Sequence, residues 1–250
     1  MADPVASLPL PRGSKRYPAC ILATCCVPWK ESGEIEADIF RREIAHLREL
    51  TPHLYLFGTA GEGHAVTELQ FDTALTHFRS GMNGDTHPMI GLISLSLGTV
   101  IERVERARAQ GFHSFQISLP SWGALNDKEL AIFFRETCGR FPDCRFLHYN
   151  LPRARRLMTA DEYARIANSY PNLVATKHGT DSMNRVSDLL VKAPMLQHFF
   201  TEPGFGYGSM LGECGYLVSV GSLNFALARE YFEAGRERRC EEIVARQHEL

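Results

Sequence analysis

Short apolar runs alternate with longer amphipathic segments eight times along this chain, and this alternation restricts its fold more than any other feature. The apolar runs are rich in β-branched and aromatic residues and are bounded by Gly, Pro, Asn or Asp, which is typical of buried strands. They lie at 20–26, 53–58, 88–94, 112–118, 144–150, 172–177, 196–200 and 215–220. The sequence therefore predicts a strand–helix unit repeated eight times.

The intervening segments have the spacing and the capping residues of helices. Residues 39–50 carry apolar side chains three and four positions apart, with arginine and glutamate largely off that stripe. Thr67 precedes a second such segment and Thr159 a third, with Glu162 three residues after Thr159. A threonine in this position indicates a helix N-cap, and the following acid strengthens the prediction.

Eight parallel strands with helical return connections are the content of a (β/α)8 barrel, and 250 residues is an ordinary length for one. A doubly wound open sheet is the competing topology, but the glycine-rich stretch 204–215 fails G-x-G-x-x-G in every register. A phosphate-binding G-x-x-x-x-G-K-[ST] motif is also absent from the sequence. We predict a barrel over 18–238, an N-terminal arm at 1–17 and the start of a C-terminal helical extension at 239–250.

Composition narrows the class of function. A hydrophobic fraction of 44% allows a sizeable core, and a net charge of −2 gives no reason to expect nucleic acid or an anionic membrane as partner. No apolar run approaches the length of a membrane span or of a signal peptide. The seven cysteines are odd in number and form no C-x-x-C pair, which favours reduced thiols. We predict a cytoplasmic protein.

Lys177 ends a predicted strand that is otherwise apolar, and the chain has only five lysines. Tyr149 ends the preceding strand, one βαβ repeat earlier, so the two residues are expected on neighbouring strands about 4.8 Å apart. Active groups of a barrel lie at these strand ends. The competing interpretation is that the strand has ended and the ammonium is in water.

A lysine and a tyrosine at the same end of a barrel can carry out Schiff-base chemistry together. Burial makes the ammonium of Lys177 lose its proton more easily, and the neutral amine can form a Schiff base with a ketone. A tyrosine such as Tyr149, hydrogen-bonded to a hydroxyl such as that of Thr59, can move the protons that this step needs.

Three stretches, "LFGTAGEGHAVTELQ", "HYNLP" and "PNLVATKHGTDS", resemble in order and spacing the motifs of one family. This is the dihydrodipicolinate synthase / N-acetylneuraminate lyase family of class I, Schiff-base aldolases, and "TCCVPW" is similar to its strand-1 segment. The resemblance runs from about residue 19 to the C-terminus. It implies that Lys177 forms the Schiff base, that Tyr149 relays protons and that Thr59 is the hydroxyl linked to it.

The resemblance also implies a lyase of aldolase or dehydratase type that acts on a 2-keto acid, such as pyruvate or a sugar-acid derivative. It implies no cofactor and a homo-oligomer, either dimer or tetramer. The family's C-terminal helical extension is expected to be short or incomplete here. By this resemblance the substrate contacts are Ala60, Gly61, Arg153, Arg155 and Ser219.

The chain departs from the family pattern at four places. Ala60 replaces a Thr or Ser, and "LPSWGALND" has Ser121 and Trp122 where the synthase branch has a tyrosine. After Tyr149 the family's Y-N-x-P-G-R-T-G becomes "YNLPRARRLM", in which Ala154 stands in the arginine position. Phe200 occupies the position of a strand-7 glycine, and a bulky aromatic there is expected to shrink or reshape the pocket.

Other polar residues near the motifs have structural interpretations. Glu62 is expected to brace its loop, and His178 and His148 should point away from the barrel lumen, because side chains alternate along a strand. No His, Cys, Asp or Glu cluster has metal-ligand spacing, so the sequence predicts no metal site.

Two alternatives to a lyase for 2-keto acids remain open. The departures at Ala60, Trp122 and Phe200 favour a barrel that has lost the aldolase reaction and serves as a ligand-binding or regulatory protein. The altered carboxylate loop also leaves open a Schiff base with a substrate that is not pyruvate-like.

Overall fold

The computed structural model describes residues 16–180, 182–217 and 223–250. Eight parallel strands pair in chain order from β1 to β8, each with the next. The strands are β1 Ala23–Cys25, β2 His53–Leu56, β3 His87–Gly91, β4 Ser114–Ile117, β5 Arg145–Asn150, β6 Leu173–His178, β7 Gln197–Phe200 and β8 Gly215–Tyr216. The predicted (β/α)8 barrel is confirmed.

Backbone contacts next to β1 join the two ends of the sheet. Ile21 forms a parallel bridge with Tyr216, the N–H of Leu22 donates to the carbonyl of Tyr216 at 2.9 Å, and the N–H of Tyr216 donates to the carbonyl of Cys20 at 3.0 Å. The predicted eighth strand continued to residue 220, but 218–222 lie outside the described residues.

Helices alternate with the strands. They are α1 Ala37–Leu50, α2 Glu68–Ser80, α3 Leu97–Ala109, α4 Asp127–Phe134, α5 Ala160–Ser169, α6 Met183–Lys192, α7 Glu202–Leu211, α8 Phe225–Arg236 and α9 Cys240–Glu249. Both predicted threonine caps are confirmed, because Thr67 forms a capping box with Gln70 and Thr159 forms one with Glu162. No helix in the described ranges is long and apolar enough to span a membrane.

The core has two layers, which follow from the alternation of side chains along the strands. A large outer layer packs the strands against the helices. A smaller inner cluster lies within the ring of strands. The inner members are Tyr17, Cys20, Leu22, Tyr55, Met89, Leu147, Val174, Ala175, Phe199 and Leu217.

Arg16 and Tyr17 precede β1 and pack against the barrel. The side chain of Tyr17 is buried, its N–H donates to the carbonyl of Val174 at 3.1 Å, and its hydroxyl lies 3.2 Å from Nδ1 of His53. Arg16 hydrogen-bonds the side chain of Gln197 at 3.0 Å. The boundary predicted between arm and barrel stays a prediction, since residues 1–15 lie outside the described part.

The last helix, α9, packs on α7 and α8. Ile243 is buried, and the hydroxyl of Tyr231 on α8 lies 2.8 Å from the carbonyl oxygen of Glu202 and 3.1 Å from Oε1 of Gln247. Because Glu202 begins α7, this contact connects α9 to the end of the barrel at which β7 terminates.

Candidate active site

Lys177 lies inside the barrel near the C-terminal end of β6. Its side chain is 7% exposed, and the residue is level with Tyr149 on β5 and Phe199 on β7. The Nζ atom lies 4.3 Å from the centre of the Tyr149 ring and 6.0 Å from that of Tyr55. The predicted proximity of Lys177 and Tyr149 on neighbouring strands is confirmed, and the ammonium is not in bulk water.

Burial changes the acidity of this lysine. Loss of solvation lowers the pKa of Lys177 to about 8, and the negative charge of Glu202 acts in the opposite direction. Within the described ranges, Nζ makes no salt bridge or hydrogen bond, and its closest charge-stabilising contact is the face of Tyr149. A minor fraction of the amine is therefore already neutral near physiological pH, whereas a lysine with the ordinary pKa would be almost fully protonated.

A cavity of about 260 Å³ opens beside the amine. Its walls come from the C-terminal ends of several strands and from the loops that follow them. The lining residues are Thr24, Tyr55, Gly58, Thr59, Ala60, Tyr149, Lys177, Thr201, Glu202 and Leu217. Polar groups line this space around one lysine, as expected for the active-site end of a barrel.

Tyr149 shares the cavity wall with Thr59. Burial raises the pKa of Tyr149, while the hydrogen bond from the Thr59 hydroxyl and the charge of Arg153 act to lower it. The sequence paired these two hydroxyl groups, and the structure places both on the wall of the cavity beside the Lys177 amine.

The β2–α2 loop, residues 57–67, forms one wall of the cavity. Its first residue, Phe57, is fully buried with φ of 65°, an uncommon backbone conformation for a bulky side chain. The turn fits because Gly63 and Gly91 lack side chains: a Cβ atom added to them would lie 2.4 Å and 2.1 Å from the carbonyl oxygen of Phe57. The sharp turn places Thr59 and Ala60 at the cavity.

Several backbone donors of the β2–α2 loop have no hydrogen-bond partner among the described residues, and two of them are adjacent. The N–H groups of Ala60 and Gly61 have no hydrogen-bond partner among the described residues, whereas those of Glu62 and Gly63 donate to the carbonyls of Thr59 and Gly58. Successive unpaired N–H groups in a turn attract anions. Glu62, predicted to brace this loop, has an exposed side chain.

The predicted substrate contacts divide into three groups. Ala60 lines the cavity, and Gly61 is buried next to it in the same loop. Arg153 and Arg155 are exposed after β5, with Arg153 in the short 3₁₀ helix Pro152–Ala154, and they do not line the cavity. Ser219 lies outside the described residues.

The expectation that Phe200 shrinks the pocket is wrong. Phe200 is level with His178, not with Lys177, and its ring packs in the outer layer against Gly204 and Gly208 of α7. The inward residue on β7 is Phe199. The resemblance assigned Phe200 to the pocket because two consecutive phenylalanines do not show which of them faces the lumen and which faces the helices.

The prediction that His178 and His148 point away from the lumen is confirmed. His148 Nδ1 lies 2.7 Å from the Tyr163 hydroxyl on α5, and His178 Nε2 lies 2.8 Å from the Thr176 hydroxyl. Burial lowers the pKa of both histidines, that of His148 to about 3. They are neutral polar members of the layer between strands and helices.

Tyr55 and Glu202 line the cavity but were not predicted as site residues. The Tyr55 hydroxyl donates to Oε1 of Gln116, which fixes the ring inside the barrel below Gly58. The period-2 pattern of "HLYL" places Tyr55 on the face opposite Leu54 and Leu56, but it does not show which face is the lumen. Glu202 is the second residue after β7, a position at which a barrel carries site residues.

The structure also brings together three metal-binding residue types, His113, Asp143 and Cys144. They lie at the N-terminal ends of β4 and β5, the end of the barrel opposite Lys177. The guanidinium of Arg108 pairs with Asp143 there and lowers the pKa of its carboxyl against the effect of burial. This cluster is not part of the Lys177 site.

Comparison with known proteins agrees with this geometry. The profile of the dihydrodipicolinate synthetase family matches residues 18–201, and the chain belongs to this family. A 4-hydroxy-tetrahydrodipicolinate synthase of Exiguobacterium sp. is 25% identical over 181 residues, covering 72% of this chain and 58% of the relative. The same enzyme of Thermus thermophilus is 24% identical over 64% of this chain and 54% of its own length.

Solved structures support the fold. A dihydrodipicolinate synthase superposes with a TM-score of 0.84 at 18% identity, covering 94% of this chain and 81% of that one. The sialic acid aldolase of Ruminococcus gnavus superposes with a TM-score of 0.83 at 14% identity, over 92% and 77%. The match spans less than two thirds of the length of the curated relatives. Family membership supports lyase chemistry in general.

Proposed function

We propose that this protein is a Schiff-base-forming lyase, of carbon–carbon or carbon–oxygen type, that acts on a 2-keto acid such as pyruvate or a sugar-acid derivative. One observation carries the proposal: a buried lysine with a pKa near 8 lies 4.3 Å from a tyrosine ring in a polar cavity. A structural barrel has no use for this amine, because an apolar side chain would fill the same space without the cost of burying a charge.

Lys177 is the nucleophile of the proposed reaction. Its neutral Nζ forms a bond to the keto carbon as the carbonyl π bond opens, and the proton that the nitrogen loses passes to the oxygen, which gives a carbinolamine. Tyr149 then supplies a proton to the hydroxyl group, water leaves, and a cationic iminium remains. Thr59, which lines the same cavity and acts to lower the pKa of Tyr149, orients the tyrosine hydroxyl.

The iminium makes the next bond easy to break. In carbon–carbon cleavage the electrons of the bond one carbon removed move into the iminium and form a neutral enamine, while the hydroxyl of the leaving carbon gives its proton to the Tyr149 phenolate and departs as a carbonyl compound. In carbon–oxygen cleavage the carbon next to the iminium first loses a proton to form the enamine, whose electrons then expel the hydroxyl group, which takes up a proton and leaves as water. The face of Tyr149 and the charge of Glu202 stabilise the cation before this step. Protonation of the enamine and hydrolysis by water return the free lysine.

The β2–α2 loop is the proposed site for the substrate carboxylate. The N–H groups of Ala60 and Gly61 have no other partner among the described residues and lie in the same turn as Thr59. These backbone N–H groups donate hydrogen bonds to the carboxylate, as a Thr or Ser hydroxyl at position 60 would. Arg153, whose charge acts on Tyr149 from outside the cavity, attracts the anion toward the mouth.

The test is reductive trapping. The protein is incubated with pyruvate and a panel of other 2-keto acids, treated with borohydride, and analysed by intact mass and peptide mapping. We expect one adduct per chain, located on Lys177, and none in Lys177→Ala. Lys192→Ala is the matched control, because Lys192 is exposed on α6 and should leave trapping unchanged.

The other outcomes are informative. An adduct on the parent that persists in Lys177→Ala would contradict the assignment of the nucleophile. A folded parent that forms no adduct with any keto acid would contradict Schiff-base chemistry and would indicate a ligand-binding barrel instead.

A further inference from the structure

Arg103 is a buried cation that lies outside the cavity and has no role in the proposed chemistry. It belongs to α3, its side chain is 4% exposed, and its guanidinium lies 4.8 Å from the ring centre of Phe71 on α2. Burying a guanidinium is costly unless its donors are satisfied. The location of those partners shows what the residue organises.

All five N–H donors of Arg103 are used. One terminal nitrogen donates to the carbonyls of Gly63 at 3.0 Å and Ile93 at 3.2 Å. The other donates to the carbonyl of Val66 at 3.2 Å and to Glu68 Oε1 at 2.8 Å, and Nε also donates to Glu68 at 3.0 Å. Three separate segments therefore meet at one side chain: the β2–α2 loop, the loop after β3 and the first turn of α2.

The β2–α2 loop has few other anchors on that side. Most of its side chains are exposed and contribute little packing. The exposed ones are Thr59, Ala60, Glu62, His64, Ala65 and Thr67. At its start the loop is held by Phe57 between Gly63 and Gly91, and the two Arg103 bonds to Gly63 and Val66 hold its second half.

We propose that Arg103 is a positioning residue of the keto-acid site. By fixing the back of the β2–α2 loop, it sets where the N–H groups of Ala60 and Gly61 and the hydroxyl of Thr59 lie relative to Lys177. The proposal rests on the proposed function, because it assigns the substrate carboxylate to that loop.

The chemistry of the side chain explains why an arginine occupies this position. A methionine would fill the volume but would leave the carbonyls of Gly63, Val66 and Ile93 without donors. A lysine keeps the charge but has three donors and no planar fork, so it cannot satisfy the three segments together. Only the guanidinium cross-links the loop with defined geometry.

Arg103→Met and Arg103→Lys test the proposal by borohydride trapping at increasing pyruvate concentration. Arg106→Met is the matched control, because Arg106 joins the same helices through an exposed pair with Asp72 and does not contact the loop. We expect Arg103→Met to raise the half-saturating pyruvate concentration by about tenfold or more, since misplacement of a binding group by about 1 Å has effects of that size. The Lys variant should give a smaller rise, and Arg106→Met none.

The pH dependence of trapping separates positioning from general damage. Its midpoint reports the pKa of Lys177 and should be the same in the parent and all three variants. If the folded Arg103 variants keep the half-saturating pyruvate concentration of the parent, the inference about Arg103 is overturned but the proposed function is not. If Arg103→Met does not fold, Arg103→Lys decides. A parent that forms no adduct would overturn the proposed function and this inference together.

Discussion

The buried amine of Lys177 should reduce the stability of the fold, and replacing it with methionine should raise that stability. The shift of the Lys177 pKa from 10.5 to about 8 means that the folded state binds this proton less well than the unfolded chain. A difference of about 2.5 pKa units corresponds to about 3 kcal/mol at pH 7. Methionine has a similar length and shape and carries no charge to desolvate.

The variant also loses a favourable contact. Lys177 Nζ lies 4.3 Å from the Tyr149 ring, and such a cation–π contact contributes about 1–2 kcal/mol when desolvated. The pKa of Lys177 already reflects this contact, but the methionine side chain recovers only part of its energy, which reduces the expected gain in stability. We therefore expect Lys177→Met to increase the free energy of unfolding by about 2 kcal/mol at pH 7.

The sign of the pH dependence follows from the two pKa values. Below pH 8 the ammonium is charged in both states, and its burial costs the full amount. Between pH 8 and 10.5 the folded state has lost the proton while the unfolded state keeps it, so the stability of the parent rises with pH. The advantage of Lys177→Met should therefore shrink over this range and largely disappear near pH 10.

Denaturant unfolding of the parent and Lys177→Met at pH 7 and pH 10 measures both effects. Lys192→Met is the control for a lysine exposed on α6, and it should give no stability gain at either pH. A variant less stable than the parent at pH 7, or a gain of equal size at both pH values, would refute the reasoning.

Three further changes test other parts of the account. Tyr149→Phe keeps the ring over Lys177 but removes the hydroxyl, so the rate of borohydride trapping should fall by about 100-fold. An unchanged trapping rate would show that Tyr149 does not relay protons. Burial lowers the pKa values of His148 and His198 to about 3 and about 4, so these neutral histidines stabilise the fold above pH 6.5 and lose that contribution as pH falls. Chemical denaturation should show a loss of up to about 2 kcal/mol per histidine between pH 7 and 5. A loss in His148→Phe as large as that of the parent would contradict this. Gly91→Ala places a Cβ 2.1 Å from the Phe57 carbonyl oxygen and should lower the free energy of unfolding by about 1–3 kcal/mol. Gly123→Ala is the control, because no atom lies within 4 Å of the added Cβ, and it should change stability little. Equal thermal stabilities of the two variants would show that the turn relaxes freely.

The sequence was sufficient for the fold because local patterns and global topology agree. Each strand is short, apolar and bounded by turn residues, and each helix connection enforces parallel pairing. The same regularity predicted that Tyr149 and Lys177 would be level on adjacent strands, as the register shows. Spacing alone was enough for this pair, because each residue is the next-to-last of its strand and the two strands are one repeat apart.

Features that depend on long-range contacts were not visible in the sequence. Arg103 lies in "ERVERARA", a segment typical of a solvated helix face, and its partners come from two distant loops and from α2. Phe200 was assigned to the pocket because Phe199 and Phe200 are chemically identical in sequence, and only the pairing with β6 determines which one faces the lumen.

The central claim is that Lys177 is a nucleophile that is partly neutral at physiological pH. The rate of adduct formation with a saturating 2-keto acid, followed by borohydride trapping from pH 6 to 11, tests it most directly. The account predicts a rate that rises with pH to a half-maximal value near pH 8, with the mass located on Lys177. A half-maximal rate near the ordinary lysine pKa, or an adduct on another lysine, would contradict it.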